Sequence, residues 1–257
     1  MVPITVATLL AHVVGQCDLP RHKRQPAVSL PWRVHKCIFH AVMNTSSPED
    51  TRSSDEKWPN RYRTFLIFGA PGSGKGTQGK ALGSIPRLVH FACGDVFRSL
   101  DTRTKLGQAF LDYSSRGELV PAELTIELWK VQIKTSVEAH RFKPELDYIV
   151  LDGIPRSVEQ ARAMKPLIKV CKVFHLSCPN RIELVRRLKK RALKDNRLDD
   201  ANEKVIRHRL ETYEEESRPV LEYYGPDLVQ TIDALQSPVR VMYEILQTVQ
   251  QFPMTLA

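Results

Sequence analysis

No stretch of the chain approaches the roughly 18 consecutive apolar residues that a membrane span needs. Cysteine is sparse: five residues, at 17, 37, 93, 171 and 178, with no Cys-x-x-Cys pair. That spacing supports neither a zinc ribbon nor a redox motif, and a reducing compartment is the simplest reading. No internal repeat is visible, which argues against a solenoid or propeller. The guanine-reading N-K-x-D element and the aromatic-basic strand of an RNA-binding sheet are also missing. What remains is ordinary globular composition over 257 residues, 42% hydrophobic and 26% charged, with a net charge of +9. The positive balance suits an anionic partner, and a nucleotide or a nucleic acid would satisfy it equally.

The chain divides near residue 60. Residues 1 to 60 show no sustained period of 2 or 3.6 and carry prolines at 3, 20, 26, 31, 48 and 59. Residues 44 to 60, NTSSPEDTRSSDEKWPN, read as a linker. The apolar opening matches a signal peptide poorly, because a basic start and a clean cleavage site are missing. From 1 to 48 there are five Lys or Arg against the single acid Asp18. That bias is compatible with an organellar transit peptide. The alternatives are a disordered extension, which we expect, or sequence upstream of a start at Met43.

After residue 60 the pattern sharpens. TFLIFGAPGSGKG is a short apolar run followed at once by a glycine-rich loop, and GKGTQGKALGSI can open a helix directly after it. Strand, loop and helix in that order place backbone N–H groups where phosphate binds. The general pattern G-x-x-x-x-G-K-[ST] is met at Gly69, Gly74 and Lys75, but the hydroxyl comes one residue late, at Thr77. Further strands are expected at 146–153, 172–178 and 227–234, with long helical stretches between them. This alternation predicts an α/β fold with a central parallel sheet flanked by helices.

Other residues fit the same chemistry. Asp152 ends an expected strand in DGIPR, where a carboxylate suits a magnesium-bound water, although Asp before Gly is also a common turn. Arg187 and Arg191 are four apart and share a helix face. Arg197 and Arg209 follow. A solvated basic helix would explain RRLKKR alone. Beside a phosphate loop, preorganised guanidinium groups fit a phosphoryl-transfer transition state, whose charge is spread over several oxygens. His90 and His175 read as structural.

GAPGSGKGTQ, ACGDVFR, GELVP, DGIPRSVEQ, ELVRRLKKR, RLDDANEKVIRHRLETY and RPVLEYY follow in order between about Thr64 and Thr248. Together they resemble the adenylate kinases of the nucleoside monophosphate kinase family, in which G-x-P-G-x-G-K-G-T is the usual loop. The resemblance explains the displaced hydroxyl. It implies a phosphate-loop NTPase fold at 61–257, a small helical monophosphate-binding segment near 90–120 and a lid near 191–198. The lid is short and carries no cysteine cluster, so it resembles short-lid forms with no zinc site.

The resemblance further implies ATP and AMP as substrates, Mg2+ arriving with ATP, and a cytoplasmic monomer with no nucleic-acid or membrane partner; the alternatives are a UMP/CMP-type kinase and, more remotely, a phosphate-loop nucleotide-binding protein that is not a kinase. Gly72, Ser73, Gly74, Lys75, Gly76 and Thr77 would cradle the donor phosphates, with Arg187 and Arg191 beside them. Cys93, Arg98, Glu118, Leu119, Val120, Gly153, Arg156 and Gln160 would line the acceptor pocket. Arg197 and Arg209 would reach the transferring group, and Asp152 the metal through water. Lys75, Arg156, Arg191, Arg197 and Arg209 form the expected catalytic set, with Lys75 and Arg156 facing a solvent-filled cleft.

Two departures from the family pattern stand out. Cys93 replaces a Thr that helps favour AMP, and pyrimidine-preferring relatives carry a small residue there. Gln160 argues for AMP, since its amide can offer a donor and an acceptor to a purine edge. RLDDANEKVIRHR is one residue longer than usual, so either Arg209 holds the family register, with Asn202 capping its helix, or Arg207 or His208 replaces it.

Overall fold

The computed structural model describes residues 61–195 and 202–254. The expectations for residues 1–60, for Arg197 and for lid residues 196–198 lie outside the described residues.

Five parallel strands form one sheet: β1 (Tyr62–Phe68), β2 (Leu88–Ala92), β3 (Tyr148–Asp152), β4 (Ile168–Ser177) and β5 (Val229–Asp233). Their spatial order is β2-β3-β1-β4-β5. The helices are α1 (Lys75–Leu82), α2 (Cys93–Arg98), α3 (Lys105–Arg116), α4 (Ala122–Glu138), α5 (Val158–Met164), α6 (Arg181–Asp195), α7 (Glu203–Thr212), α8 (Pro219–Tyr224) and α9 (Pro238–Val249). A π-helical turn, Tyr213–Ser217, joins α7 to α8. Helices cover both sheet faces, so the inner strands read as near-continuous apolar runs. Phe65, Leu66 and Ile67 of β1 and Ile149, Val150 and Leu151 of β3 are all buried.

The sheet departs from the sequence expectation in two places. The stretch Leu88–Ala92 is a full strand, pairing along β3 with Ala92 opposite Asp152. Its His90 interrupts the apolar run, which hid it. His90, Phe91 and Ala92 therefore belong to the sheet, and the helical part of the segment expected near 90–120 opens at Cys93. Strand β4 begins at Ile168, four residues before the expected 172. Its pairing with β1 shifts between Thr64 and Phe65, opposite Val170 and Lys172, so Cys171 is an extra residue. A bulge of this kind breaks the alternation that a sequence reading depends on.

Phe65 anchors the core. Its ring stacks on Tyr148 at 5.2 Å and meets Phe252 edge-on at 5.0 Å. The Tyr148 hydroxyl donates to the Pro253 carbonyl at 3.1 Å, fastening the segment after α9 to the sheet. The pairing of Ala92 with Asp152, and of Ile67 with Asp152, brings the ends of β2, β3 and β1 level. The segments that leave these strands carry most of the expected site residues, and the carboxyl ends of strands are where ligands bind in open parallel sheets.

Candidate active site

The glycine loop leaves β1 at Gly69, whose φ is +145°. A Cβ there would lie 2.5 Å from the Leu176 carbonyl oxygen, so only glycine lets the loop pass this close to β4. Gly74, in the left-handed region, opens α1 without a side-chain cap. The Thr77 amide turns back onto the Gly74 carbonyl at 3.0 Å, and the start of the helix, with no side chain over it, presents the positive end of the dipole. The Lys75 ammonium donates to the Gly69 and Ala70 carbonyls at 2.7 and 3.0 Å.

Lys75 is half-buried and lines the cleft, but its ammonium is desolvated. Burial pushes its ammonium down to about 8. Asp152 opposes the shift, and the guanidinium groups of Arg156, Arg191 and Arg209 reinforce it. Cations from three separate elements therefore converge on one lysine.

After β3, Asp152 and Gly153 lead into a cis Ile154–Pro155 bond and then Arg156. The Arg156 guanidinium donates to the Gly153 carbonyl at 2.9 Å. Its backbone amide donates to Gln160 Oε1 at 2.7 Å, while Ser157 Oγ accepts from the Gln160 amide at 3.2 Å. Gln160 is only 3% exposed. One lone pair of its acceptor oxygen thus holds the Arg156 turn, while the amide retains a second lone pair and its N–H donors.

Cys93 opens α2 against Gly153. Burial pushes its thiol up to about 12, so it is a neutral, small, apolar group at pH 7. Arg98, at the end of α2, is held by Asp95 at 2.6 Å.

On α6, the Arg187 guanidinium donates to Glu183 Oε1 at 2.7 Å and to the Ala234 carbonyl at 2.9 Å. Arg186, then Arg187, hydrogen-bond Glu183 and hold its carboxyl down to about 2. Asn202 caps α7, accepting from the Lys204 amide at 2.9 Å. In this register Arg209 lines the cleft. Arg207 instead pairs with Glu203 at 2.7 Å on the exposed face, and His208 is exposed too. Gly117, at φ +79° after α3, lies against α7: a Cβ there would meet Arg209 Cγ at 2.9 Å. The absence of a side chain at 117 lets the α3 segment close onto the arginine helix.

One cleft of about 1140 Å³ gathers Gly72 to Thr77, Cys93, Arg98, Glu118 to Val120, Asp152, Gly153, Arg156, Gln160, Arg187, Arg191 and Arg209. Its volume exceeds the roughly 300–1,000 Å³ of a pocket for one small ligand. Ten Lys and Arg against five Asp and Glu line it, which selects for anions. Sequence reasoning missed Phe97, Phe110, Ser114, Lys190, Lys194 and Tyr213, which also line it. Helical spacing was the available signal: Phe97 is four residues after Cys93, Lys194 three after Arg191, and Tyr213 four after Arg209.

The structural reading of the two histidines fits their surroundings. His175 Nε2 lies 3.2 Å from the Tyr213 hydroxyl, and its Nδ1 lies 3.4 Å from Thr231 Oγ1. His90 packs against Gly79 of α1, and its buried Nε2 has no hydrogen-bond partner. Burial pushes both rings down in pKa, favouring the neutral form.

A family model described as adenylate kinase matches residues 67–228. An adenylate kinase from Cyanothece sp. (strain PCC 7425) is 36% identical over 194 residues, spanning 73% of this chain and 95% of the relative. One from Mycolicibacterium vanbaalenii is 38% identical over 66% of this chain and 90% of the relative. One from Bacteroides fragilis is 34% identical over 72% of this chain and 97% of the relative. With the phosphate loop, the parallel sheet and the converging cations in place, the chain belongs to the adenylate kinase family.

Proposed function

We propose that the protein catalyses reversible phosphoryl transfer from ATP to AMP, giving two ADP. The observation that carries this reading is the convergence of Arg156, Arg191 and Arg209 on the half-buried Lys75 beside a phosphate loop. Such an array stabilises charge spread over a transferring phosphoryl group and needs no covalent intermediate. In a coupled assay, two ADP should appear for each AMP consumed. AMP-independent release of phosphate as the main product would contradict the assignment.

The resemblance to the family, with the placing of these residues around one cleft, supports the following roles. The loop amides and Lys75 bind the donor phosphates, with Arg187 and Arg191 from α6. Arg98 and Arg156 grip the acceptor phosphate, and Gln160 reads its base. Arg209 bridges to the moving group, with Arg197 of the lid segment as its partner. Closing the α3 segment and the lid over both nucleotides excludes water, the competing nucleophile.

Asp152 and the Thr77 hydroxyl flank the loop. One carboxylate and one hydroxyl suit a Mg2+ ion that arrives on nucleotide phosphates and keeps several waters. When bound, the ion would neutralise phosphate charge, and Asp152 would orient its water. We assign the kinase domain to residues 61–257, acting as a cytoplasmic monomer. A chain starting near Lys57 should keep both melting temperature and turnover; loss of either would show that the preceding residues contribute.

Lys75 sets a pH limit. Its ammonium must be charged to bind phosphate, and in the free protein it is charged only below about pH 8. The value of kcat/KM for ATP should therefore be flat below that pH and fall about tenfold per unit above it. A profile flat to pH 9.5 would contradict the assignment. Stability runs the other way. The lowered pKa makes the unfolded chain bind more protons between about 8 and 10.5, so this group's destabilising contribution is relieved as pH rises through that window.

Acceptor choice balances two residues. Cys93 favours a pyrimidine, because a neutral thiol cannot replace a hydroxyl donor, at a cost on the order of 1 kcal/mol. Leaving the buried Gln160 amide unmet costs more, about 1–3 kcal/mol, and favours a purine. Cys93→Thr should sharpen the preference for AMP over CMP, and Gln160→Asn should erode it. The ratio of kcat/KM values measures both, and a shift of the opposite sign in either variant would overturn this balance.

A further inference from the structure

The acceptor side of the cleft contains an aromatic pair that none of these roles uses. Phe97 shares a face of α2 with Cys93, and Phe110 shares a face of α3 with Ser114. All four line the cleft. The two phenyl rings stack, with centroids 5.1 Å apart and planes within 9°. Phe97 is 5% exposed, whereas Phe110 is half-buried, so most of the pair's accessible surface belongs to Phe110. The side chain one turn later is the small Ser114, where a bulky one would cover the ring on that face. The neutral Cys93 continues the apolar wall, and Arg98 directly follows Phe97. A ligand matching this surface has a flat aromatic ring at one end and an anion at the other.

We propose that the acceptor base packs its flat face against the Phe97–Phe110 pair, making Phe110 a specificity-determining residue for purine over pyrimidine monophosphates. The inference rests on the acceptor-side reading above. A purine offers a larger face than a pyrimidine, so stacking strengthens the preference for AMP that Cys93 weakens. Aromatic stacking platforms tolerate any base but reward the larger ring.

The test uses the full chain and a fluorescent 2-aminopurine ribonucleoside 5′-monophosphate, whose emission is quenched when its base stacks. Phe110→Leu keeps an apolar contact with Phe97 but removes the ring, and Phe110→Tyr keeps the ring. The unaltered protein and Phe110→Tyr should quench the bound probe, while Phe110→Leu should not. Phe110→Leu should also raise KM for AMP roughly tenfold. It should leave kcat and KM for ATP within about twofold. Absence of quenching in the unaltered protein, or full quenching with an unchanged KM for AMP in Phe110→Leu, would overturn the proposal. Arg156→Ala separates the two layers of inference. Weakened probe binding supports the acceptor site on which stacking rests, and undiminished binding overturns that assignment instead.

Discussion

Lys75→Ala should lower kcat/KM by roughly a thousandfold, about 4 kcal/mol of lost transition-state stabilisation. The ammonium reaches back over the phosphate loop, bonding to Gly69 and Ala70. Those bonds hold it where a donor phosphate would replace the two carbonyls as its partner. Asp152 supports its charge, while Arg156, Arg191 and Arg209 lie close enough to oppose it, so an arriving anion would offset their repulsion. The fold should survive the substitution, because it removes a desolvated charge that burial already disfavours. Steady-state kinetics alongside a thermal melt separate the outcomes. Near-native turnover in a folded variant would mean that the loop is not the donor site.

Arg209→Ala and Arg207→Ala should differ by two orders of magnitude, although the residues are two apart. Arg209 faces the cleft against Gly117, and removing it should cost roughly 10²–10³ in kcat/KM. Arg207 pairs with Glu203 on an exposed face, where an ion pair adds little to stability and nothing to catalysis. The comparison tests the register of α7 directly. Equal losses, or a larger loss at Arg207, would place the helix one step away from the arrangement described.

The sheet was largely legible because β1 and β3 are short apolar runs followed at once by glycine-bearing turns. Strand β2 was not, because His90 breaks its pattern and its burial against Gly79 of α1 is a tertiary fact. The early start of β4 was hidden by the extra residue Cys171. In the site, the arginines could be placed by helical spacing and resemblance. The choice between Arg207 and Arg209 needed the Asn202 cap and the packing of Gly117. The desolvation of Lys75 and the Gln160–Arg156 bond were invisible, since each depends on side chains brought together across the fold. Phe97 and Phe110 illustrate the same limit: their stacking depends on two helices brought together by the fold.

The most direct measurement is kcat/KM for AMP, CMP and UMP with ATP as donor, read as ADP formation under one set of conditions. Transfer to AMP with the highest value of the three is the expected result, with CMP and UMP lower because of Gln160 yet measurable because of Cys93. A higher value for CMP or UMP, or no ADP formation with any of the three, would contradict ATP:AMP phosphoryl transfer as the activity of this cleft.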